Sequence, residues 1–172
     1  PIYKSRHAGA NPEAAQETPV PQSEKYSWDW FQQPDAQPVE GQAHIELTTA
    51  ERPLMLTESE NEEKPYLWSI LLFAQETNGV SFTMEKVTEV YFNNEKLPMQ
   101  TAEMTANEIE WYWYSTRLEA GGMTSYATDR PADGGIGYGV AVEGKDDNGN
   151  ELTFKLYIPF SSEIKPELTP ED

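Results

Sequence analysis

Residues 135–158 have the sequence GIGYGVAVEGKDDNGNELTFKLYI. Apolar side chains recur at every second position on both sides of the acidic DDNG segment, which is the periodicity of a β-strand with one buried face. The triplet Asp147-Asn148-Gly149 between the two runs supplies residues that tolerate the positive φ of a tight turn. The pattern therefore predicts an antiparallel hairpin with strands at residues 136–142 and 149–160.

A second hairpin is predicted upstream, between residues 67–75 and residues 80–92, with Thr77-Asn78-Gly79 as its turn. Both the odd and the even positions of the first strand are apolar, so we expect this strand to be central in its sheet or covered on both faces. The alternation of the second strand lapses after Met84, which indicates a β-bulge or a break.

Two further strands are predicted, at residues 43–49 with Ile45 and Leu47 facing inward, and at residues 109–118. A brief helix within residues 101–108 is compatible with the capping-box pattern of Thr105-Ala106-Asn107-Glu108. About six to eight short strands with at most one short helix predict an all-β fold, an antiparallel β-sandwich of immunoglobulin-like topology.

The chain divides by composition into an unstructured linker at residues 1–25, a β-sandwich domain at residues 26–160 and a C-terminal tail at residues 161–172. Trp28 and Trp30 are expected to tether the first segment to the domain. Residues 1–25 contain three basic and three acidic side chains, so the domain and the tail hold the whole net charge of −18. Such a field repels phosphate, and nucleic-acid binding is excluded first.

The sequence lacks the residues that several kinds of functional site require. The chain has no cysteine and two histidines, which excludes disulfides, a cysteine nucleophile and paired imidazoles. The glycine run at residues 134–139 lies within strand alternation, so close packing of aromatic rings explains it better than a dinucleotide loop. No apolar run has the length of a membrane helix. No catalytic residue is predicted, and we expect no enzyme.

The run Trp111-Tyr112-Trp113-Tyr114 suggests a ligand-binding surface. In a strand, Trp111 and Trp113 would face one way and the two tyrosines the other. One pair could then fill the core while the other stacks on sugar rings. Tyr112 and Tyr114 are the predicted ligand-binding residues, and the alternative is that the whole run packs in the core.

The acidic turn at residues 146–151 is a candidate calcium site, because Ca²⁺ prefers carboxylate and carbonyl oxygens. Asp146, Asp147 and Glu151 are its predicted ligands. The spacing differs from that of an EF-hand, and Asn148-Gly149 already has a role as a turn, so a solvated turn is the alternative. No other cofactor is predicted.

Residues 80–92 (VSFTMEKVTEVYF) and residues 142–152 (VEGKDDNGNEL) resemble segments of immunoglobulin-like ectodomains from surface proteins of Gram-positive bacteria. The resemblance implies an extracellular location, secreted or anchored through a segment upstream of residue 1, and a role in adhesion, spacing or ligand sensing. Ectodomains of membrane-anchored anti-sigma regulators are a second setting that it implies. No site residue can be transferred from it.

The leading functional hypothesis is a non-catalytic extracellular interaction domain that binds a cell-surface protein or glycan. A small carboxylate-based polysaccharide hydrolase and a purely structural spacer are the alternatives. A flat exposed aromatic face would favour glycan binding, two convergent carboxyl groups would favour the hydrolase, and a smooth polar surface would favour the spacer.

Overall fold

The computed structural model describes residues 25–166, which form two layers of β-strands and two short helices. The helices are α1 (Trp28–Gln32) and α2 (Ala106–Tyr112). The strands are β1 (Ile45–Thr49), β2 (Leu54–Glu58), β3 (Tyr66–Glu76), β4 (Phe82–Phe92), β5 (Pro98–Met104), β6 (Arg117–Leu118), β7 (Met123–Pro131), β8 (Gly137–Asp146) and β9 (Glu151–Ile164).

The first sheet is centred on β3, which pairs with β7 along one side. Along its other side, β1 pairs with residues 72–76 and β2 pairs with residues 66–68. The second sheet runs β5-β4-β8-β9, and the two-residue β6 also pairs with β4. All of these pairs are antiparallel. This division resembles the immunoglobulin arrangement, in which strands A, B and E face strands C′, C, F and G. The predicted fold class, an all-β sandwich, is confirmed, with nine strands and two short helices in the described residues instead of six to eight strands and at most one helix.

The two sheets enclose one core and are joined along one edge. A parallel pairing of β2 with β9 links the sheets there, with Leu54 opposite Phe160. The core draws side chains from both layers, among them Trp68 and Leu72 of β3 and Tyr138 of β8. Burial of these apolar surfaces between the layers is the main stabilising contribution to the fold.

The hairpin predicted from residues 135–158 is confirmed by the pairing of β8 with β9, and Gly149 has a φ of 83° in its turn. The predicted strand at residues 43–49 is present as β1, with Ile45 and Leu47 buried. The predicted bulge lies at Glu85, where the register between β4 and β8 shifts. β3 is central in its sheet, as its apolar pattern indicated.

The second predicted hairpin is wrong, because β3 and β4 belong to different sheets and do not pair. The Asn78-Gly79 turn instead carries the chain from one layer to the other. The Glu76 carboxylate accepts the backbone N–H groups of Asn78 and Gly79 at 2.6 and 3.0 Å. These bonds fix a corner between the layers rather than the two-residue loop of a hairpin.

The predicted strand at residues 109–118 is also wrong, since residues 106–112 form α2 and only Arg117 and Leu118 are in a strand. Trp111 and Trp113 consequently do not share a face: Trp111 is 77% exposed and Trp113 is fully buried. The capping-box pattern gave the better prediction, with Thr105 at the N-cap. The brief helix was placed too early, because residues 101–104 belong to β5.

The segment around α1 covers the outer face of the second sheet. Phe31 packs with Phe92, Val90 and Tyr157 in a second apolar cluster, and Trp28 and Trp30 pack against it. The Trp28 indole N–H donates to the Tyr157 hydroxyl at 3.2 Å. The tryptophans therefore tether this segment to the sheet, as their position in the sequence predicted.

The glycines of β8 make room for aromatic rings, which confirms the packing interpretation of the glycine run. A Cβ atom at Gly139 would lie 2.6 Å from the Phe31 ring, and one at Gly137 would lie 2.0 Å from the Tyr157 hydroxyl. The ring at position 31 can pack this closely against the sheet only because position 139 has no side chain.

Replacing Gly139 with alanine is expected to lower the free energy of unfolding by about 1–3 kcal/mol, because the buried Phe31 ring must shift. Urea denaturation of G139A, F31A and the double variant measures this effect. With the ring already removed, the glycine substitution should cost much less, and the double-mutant cycle should show strong coupling. Additive costs would contradict the proposed contact.

The predicted linker at residues 1–25 lies outside the described residues except for Lys25. At the other end, β9 continues through Ser161 to Ile164, beyond the predicted boundary at residue 160. Neither helix of the described part is long and apolar enough to cross a membrane.

Candidate functional site

Helix α2 begins at a capping box and lies between the ends of β5 and β6. The Glu108 carboxylate accepts the backbone N–H of Thr105 at 3.3 Å, which satisfies a donor that a short helix would otherwise leave unpaired. Ile109 and Trp113 lie one helical turn apart, and both are fully buried. This spacing points one face of α2 into the space between the two sheets.

Trp113 anchors the end of α2 against the first sheet. Its ring stacks on Tyr126 of β7, with centroids 5.1 Å apart and an interplanar angle of 20°. The Thr124 hydroxyl donates to the Trp113 carbonyl, and the Trp113 N–H donates to the Ile109 carbonyl at 2.8 Å. The position of α2 is therefore fixed by both packing and hydrogen bonds.

Three aromatic side chains face solvent around this anchor, and we refer to Trp111, Tyr112 and Tyr114 as the aromatic edge. Trp111 is 77% exposed and Tyr114 is 78% exposed, whereas Tyr112 is half-exposed with its ring edge-on to Tyr126. The side chains of Trp111 and Tyr114 make no hydrogen bond, ion pair or ring contact within residues 25–166. Their rings are available to a partner.

Tyr114 has the left-handed backbone conformation, with a φ of 65°. It directly follows the C-cap of α2, a position at which glycine is strongly preferred because it has no Cβ atom. A bulky residue with positive φ is a conformational outlier that costs about 1 kcal/mol or more. The exposed ring recovers none of that cost through burial.

The loop after Tyr114 is held by side-chain hydrogen bonds. The Glu110 carboxylate accepts the backbone N–H of Thr116 at 2.8 Å. Arg117 donates to both carboxylate oxygens of Asp147, at 2.9 and 2.7 Å, and to Glu119 at 2.8 Å. Hydrogen bonds from Arg117 lower the pKa of Asp147 and of Glu119, so this guanidinium is already paired with two carboxylates.

The predicted ligand-binding residues, Tyr112 and Tyr114, both lie on this edge. They lie at the end of a helix instead of on a flat sheet face, so the stacking platform on a strand is not formed. Trp111 was not among the predicted ligand-binding residues, and it is the exposed side chain that the sequence interpretation missed. The sequence contained a signal for the exposure of Trp111, because Ile109 and Trp113 have the i, i+4 spacing of a buried helical face and Trp111 lies between them.

The three predicted calcium ligands have other partners. Asp146 is buried and accepts backbone N–H groups from Ala43, Asn148 and Asn150 at 2.9 to 3.0 Å. Asp147 pairs with Arg117, and Glu151 is 80% exposed beside Lys145. Within residues 25–166, no three acidic or histidine side chains come together to hold a metal ion.

A buried acidic group lies inside the core, at Glu89 of β4. Its carboxylate accepts the Tyr138 hydroxyl at 2.5 Å and lies 3.6 Å from Arg130. Burial, followed by the negative charge of Glu89, raises the pKa of Tyr138 well above its ordinary value. Because Glu89 is 3% exposed, this network lies out of reach of a substrate and acts within the core.

A cleft of about 350 Å³ separates the α1 segment from β1 and β9. Its walls include Trp30, His44, Phe154 and Lys155, and the Lys155 ammonium lies 5.8 Å from the centre of the Trp30 ring. Lys155 donates to the Gln33 carbonyl at 2.5 Å and pairs with Asp35 at 3.3 Å. The cation of this cleft therefore holds the N-terminal segment in place.

Comparisons with known proteins define the fold alone. No family model matches the chain, and no curated protein matches it. Among solved structures, a protein described as the putative ApaA protein from Bordetella pertussis superimposes with a TM-score of 0.53 at 10% identity, covering 73% of this chain and 98% of its own.

Two weaker structural similarities were also found. A structural-genomics target has a TM-score of 0.44 at 11% identity, covering 78% of this chain and 96% of its own. The CooA pilin subunit of enterotoxigenic Escherichia coli has a TM-score of 0.26 at 11% identity, covering 71% of this chain and 99% of its own.

Proposed function

We propose that this chain is a non-catalytic interaction domain that acts outside a bacterial cell and binds a cell-surface protein or glycan through the aromatic edge. The observation that carries the proposal is Tyr114, whose left-handed backbone and 78% exposed ring together cost stability without a return in packing. Backbone strain beside exposed aromatic groups is a feature of binding sites, where stability is given up for contact.

The neighbouring side chains support a rigid binding surface. Buried Ile109 and Trp113 fix α2, so Trp111 is presented by a helix that is packed on the core. Large aromatic residues dominate the binding energy of many interfaces, since they bury much area at a small entropic cost. The location outside the cell is supported by the sequence resemblance alone.

The spacer and the hydrolase have less support. A spacer has no need of two aromatic rings with more than three quarters of their surface in water. A glycoside hydrolase requires one carboxyl group with a raised pKa. Every described carboxyl group whose pKa departs clearly from its ordinary value has a lowered one, namely Glu76, Glu119, Glu143, Asp146 and Asp147.

Replacing Tyr114 with glycine is expected to change stability and binding in opposite directions. The free energy of unfolding should rise by about 1 kcal/mol, because glycine adopts the left-handed conformation without strain. Binding of the fluorescently labelled chain to intact Gram-positive cells should weaken about tenfold, because the ring is lost. Urea denaturation and flow cytometry measure the two quantities on the same preparations.

Two variants complete the test. W111A should also lose binding, whereas L71A removes an exposed apolar side chain from the outward-facing side of β3 and should bind as the unchanged protein does. If Y114G and W111A bind cells as tightly as L71A does, the aromatic edge is not the binding surface. Treatment of the cells with protease or with muramidase then distinguishes a protein partner from a glycan.

A further inference from the structure

The aromatic edge belongs to an acidic segment of the chain. Residues 98–122 contain four acidic residues, Glu103, Glu108, Glu110 and Glu119, and one basic residue, Arg117. Arg117 is already bound to Glu119 and Asp147. Residues 98–122 therefore contain no second basic side chain that could lie over the rings of the aromatic edge.

A carboxylate belongs to the same short stretch of chain as each of the two most exposed rings of the edge. Glu108 precedes Trp111 by three residues within α2, a spacing that brings side chains onto one helical face. Glu110 accepts the backbone N–H of Thr116, two residues after Tyr114, and so lies beside the loop that carries that ring. Both carboxylates are exposed and already oriented, Glu108 by the capping box and Glu110 by the backbone N–H of Thr116. A ring face beside a fixed carboxylate can bind a cation through both groups.

The chain binds its own lysines in the same way elsewhere. The ammonium groups of Lys25 and Lys86 lie 5.4 and 5.5 Å from the centre of the Tyr26 ring, and both pair with the Glu143 carboxylate. Lys96 lies 4.2 Å from the Trp28 ring. The Tyr26 site uses a ring and an acid to hold two cations, and the Trp28 ring holds a third. The rings of Trp111 and Tyr114 have no such cation within the described residues.

We propose that the partner of the aromatic edge is a cationic protein segment, which places arginine or lysine side chains over Trp111 and Tyr114 and beside Glu108 and Glu110. This inference rests on the proposed function and specifies the chemistry of its partner. The net charge of −18 acts in the same direction, because it attracts basic segments over a distance and repels acidic surfaces.

The test uses the whole chain and a defined probe, a peptide in which arginine alternates with serine. Its control is the same peptide with citrulline in place of arginine, which keeps the shape and removes the charge. Binding is followed by NMR at the indole N–H signal of Trp111, assigned by its absence in W111F. The arginine peptide should shift this signal saturably, and raising NaCl from about 50 to about 500 mM should weaken binding about tenfold.

Two pairs of charge-removing variants separate a local site from the general charge. E108Q/E110Q removes two charges at the edge and keeps an oxygen at each structural hydrogen bond. E60Q/E62Q removes the same charge from an exposed loop elsewhere. The first pair should weaken binding of the arginine peptide several-fold more than the second.

Each remaining outcome would overturn the inference in a distinguishable way. Equal weakening by the two variant pairs would mean attraction by net charge without a local site. Equal binding of the citrulline peptide, or of a neutral cell-wall polysaccharide, at Trp111 would leave a binding edge whose partner is not cationic. A Trp111 signal that no probe moves, together with unchanged cell binding by W111A, would overturn the proposed function as well.

Discussion

Replacing Trp113 with alanine is expected to lower the free energy of unfolding by about 3–5 kcal/mol, the usual cost of removing a large buried aromatic side chain. Trp113 is fully buried and stacks on Tyr126 of the first sheet. The same substitution removes the anchor of α2, so Trp111 and Tyr114 should lose their fixed positions and cell binding should fall. Urea denaturation and the cell-binding assay measure the two effects.

The matched variant is W113F, which keeps a ring in the same place. The indole N–H of Trp113 is buried and has no hydrogen-bond partner among the described residues, so its removal leaves no acceptor unpaired. W113F should therefore retain most of the stability and of the cell binding. Unfolding free energies for W113A within about 1 kcal/mol of the unchanged protein would contradict the role of Trp113 as an anchor.

Regular alternation next to a turn was enough to predict the hairpin of β8 and β9. Its inner and outer positions follow a period of two over both strands, and the glycines of β8 fit the rings that cover them. The turn residues alone were less informative. Asn78-Gly79 and Asn148-Gly149 look alike in the sequence, yet only the second closes a hairpin.

Contacts with residues distant in sequence hold both turns, and the Asn78-Gly79 turn has one more through Glu76. Glu76 accepts a hydrogen bond from Gly121, which lies on the connection between β6 and β7. The side-chain amide of Asn78 donates to the Val39 and Gln42 carbonyls, and the side-chain amide of Asn148 donates to the Gly41 carbonyl. Both turns thus bind the segment before β1, and local propensity could not predict which strands they would join.

The aromatic edge was only partly predictable. Four consecutive aromatic residues favour a strand by composition, whereas the capping box and the spacing of Ile109 and Trp113 favour a helix. The structure follows the second pair of signals, since α2 satisfies its own backbone groups and needs no neighbouring strand. The strand β7 was missed because its sequence, MTSYATDRP, buries only Tyr126 and is otherwise polar or exposed.

Replacing Glu76 with glutamine is expected to lower the free energy of unfolding at pH 7 by about 3 kcal/mol, because hydrogen bonds from N–H groups to a buried carboxylate are lost. Glu76 is fully buried and accepts from Asn78, Gly79 and Gly121 at 2.6 to 3.0 Å. Burial acts to raise the pKa of Glu76, but these backbone donors outweigh it and hold the pKa below the ordinary value of 4.5.

The sign of the pH dependence follows from that lowered pKa. As pH falls below about 5, the carboxyl group of the unfolded chain binds its proton first, which favours unfolding. The stability due to Glu76 is therefore complete at neutral pH and is lost as pH falls through the folded pKa. E76Q should be less stable at pH 7 and should depend less steeply on pH between about 5 and 3. Asp146, whose pKa is lowered by similar hydrogen bonds, should keep part of the slope.

The control for this experiment is D147N, at an exposed carboxylate whose partner is Arg117. Exposed ion pairs contribute little to stability, so D147N should stay close to the unchanged protein at pH 7. Urea denaturation of the unchanged protein, E76Q and D147N at several pH values compares the free energy of unfolding at pH 7 and its slope with pH. If E76Q matches D147N in both, the Glu76 carboxylate does not hold the corner between β3 and β4. If only E76Q has a lower free energy of unfolding and a weaker dependence of it on pH, the corner between β3 and β4 depends on a charged acceptor. Glu76 is then the reason that this Asn-Gly turn links the two sheets.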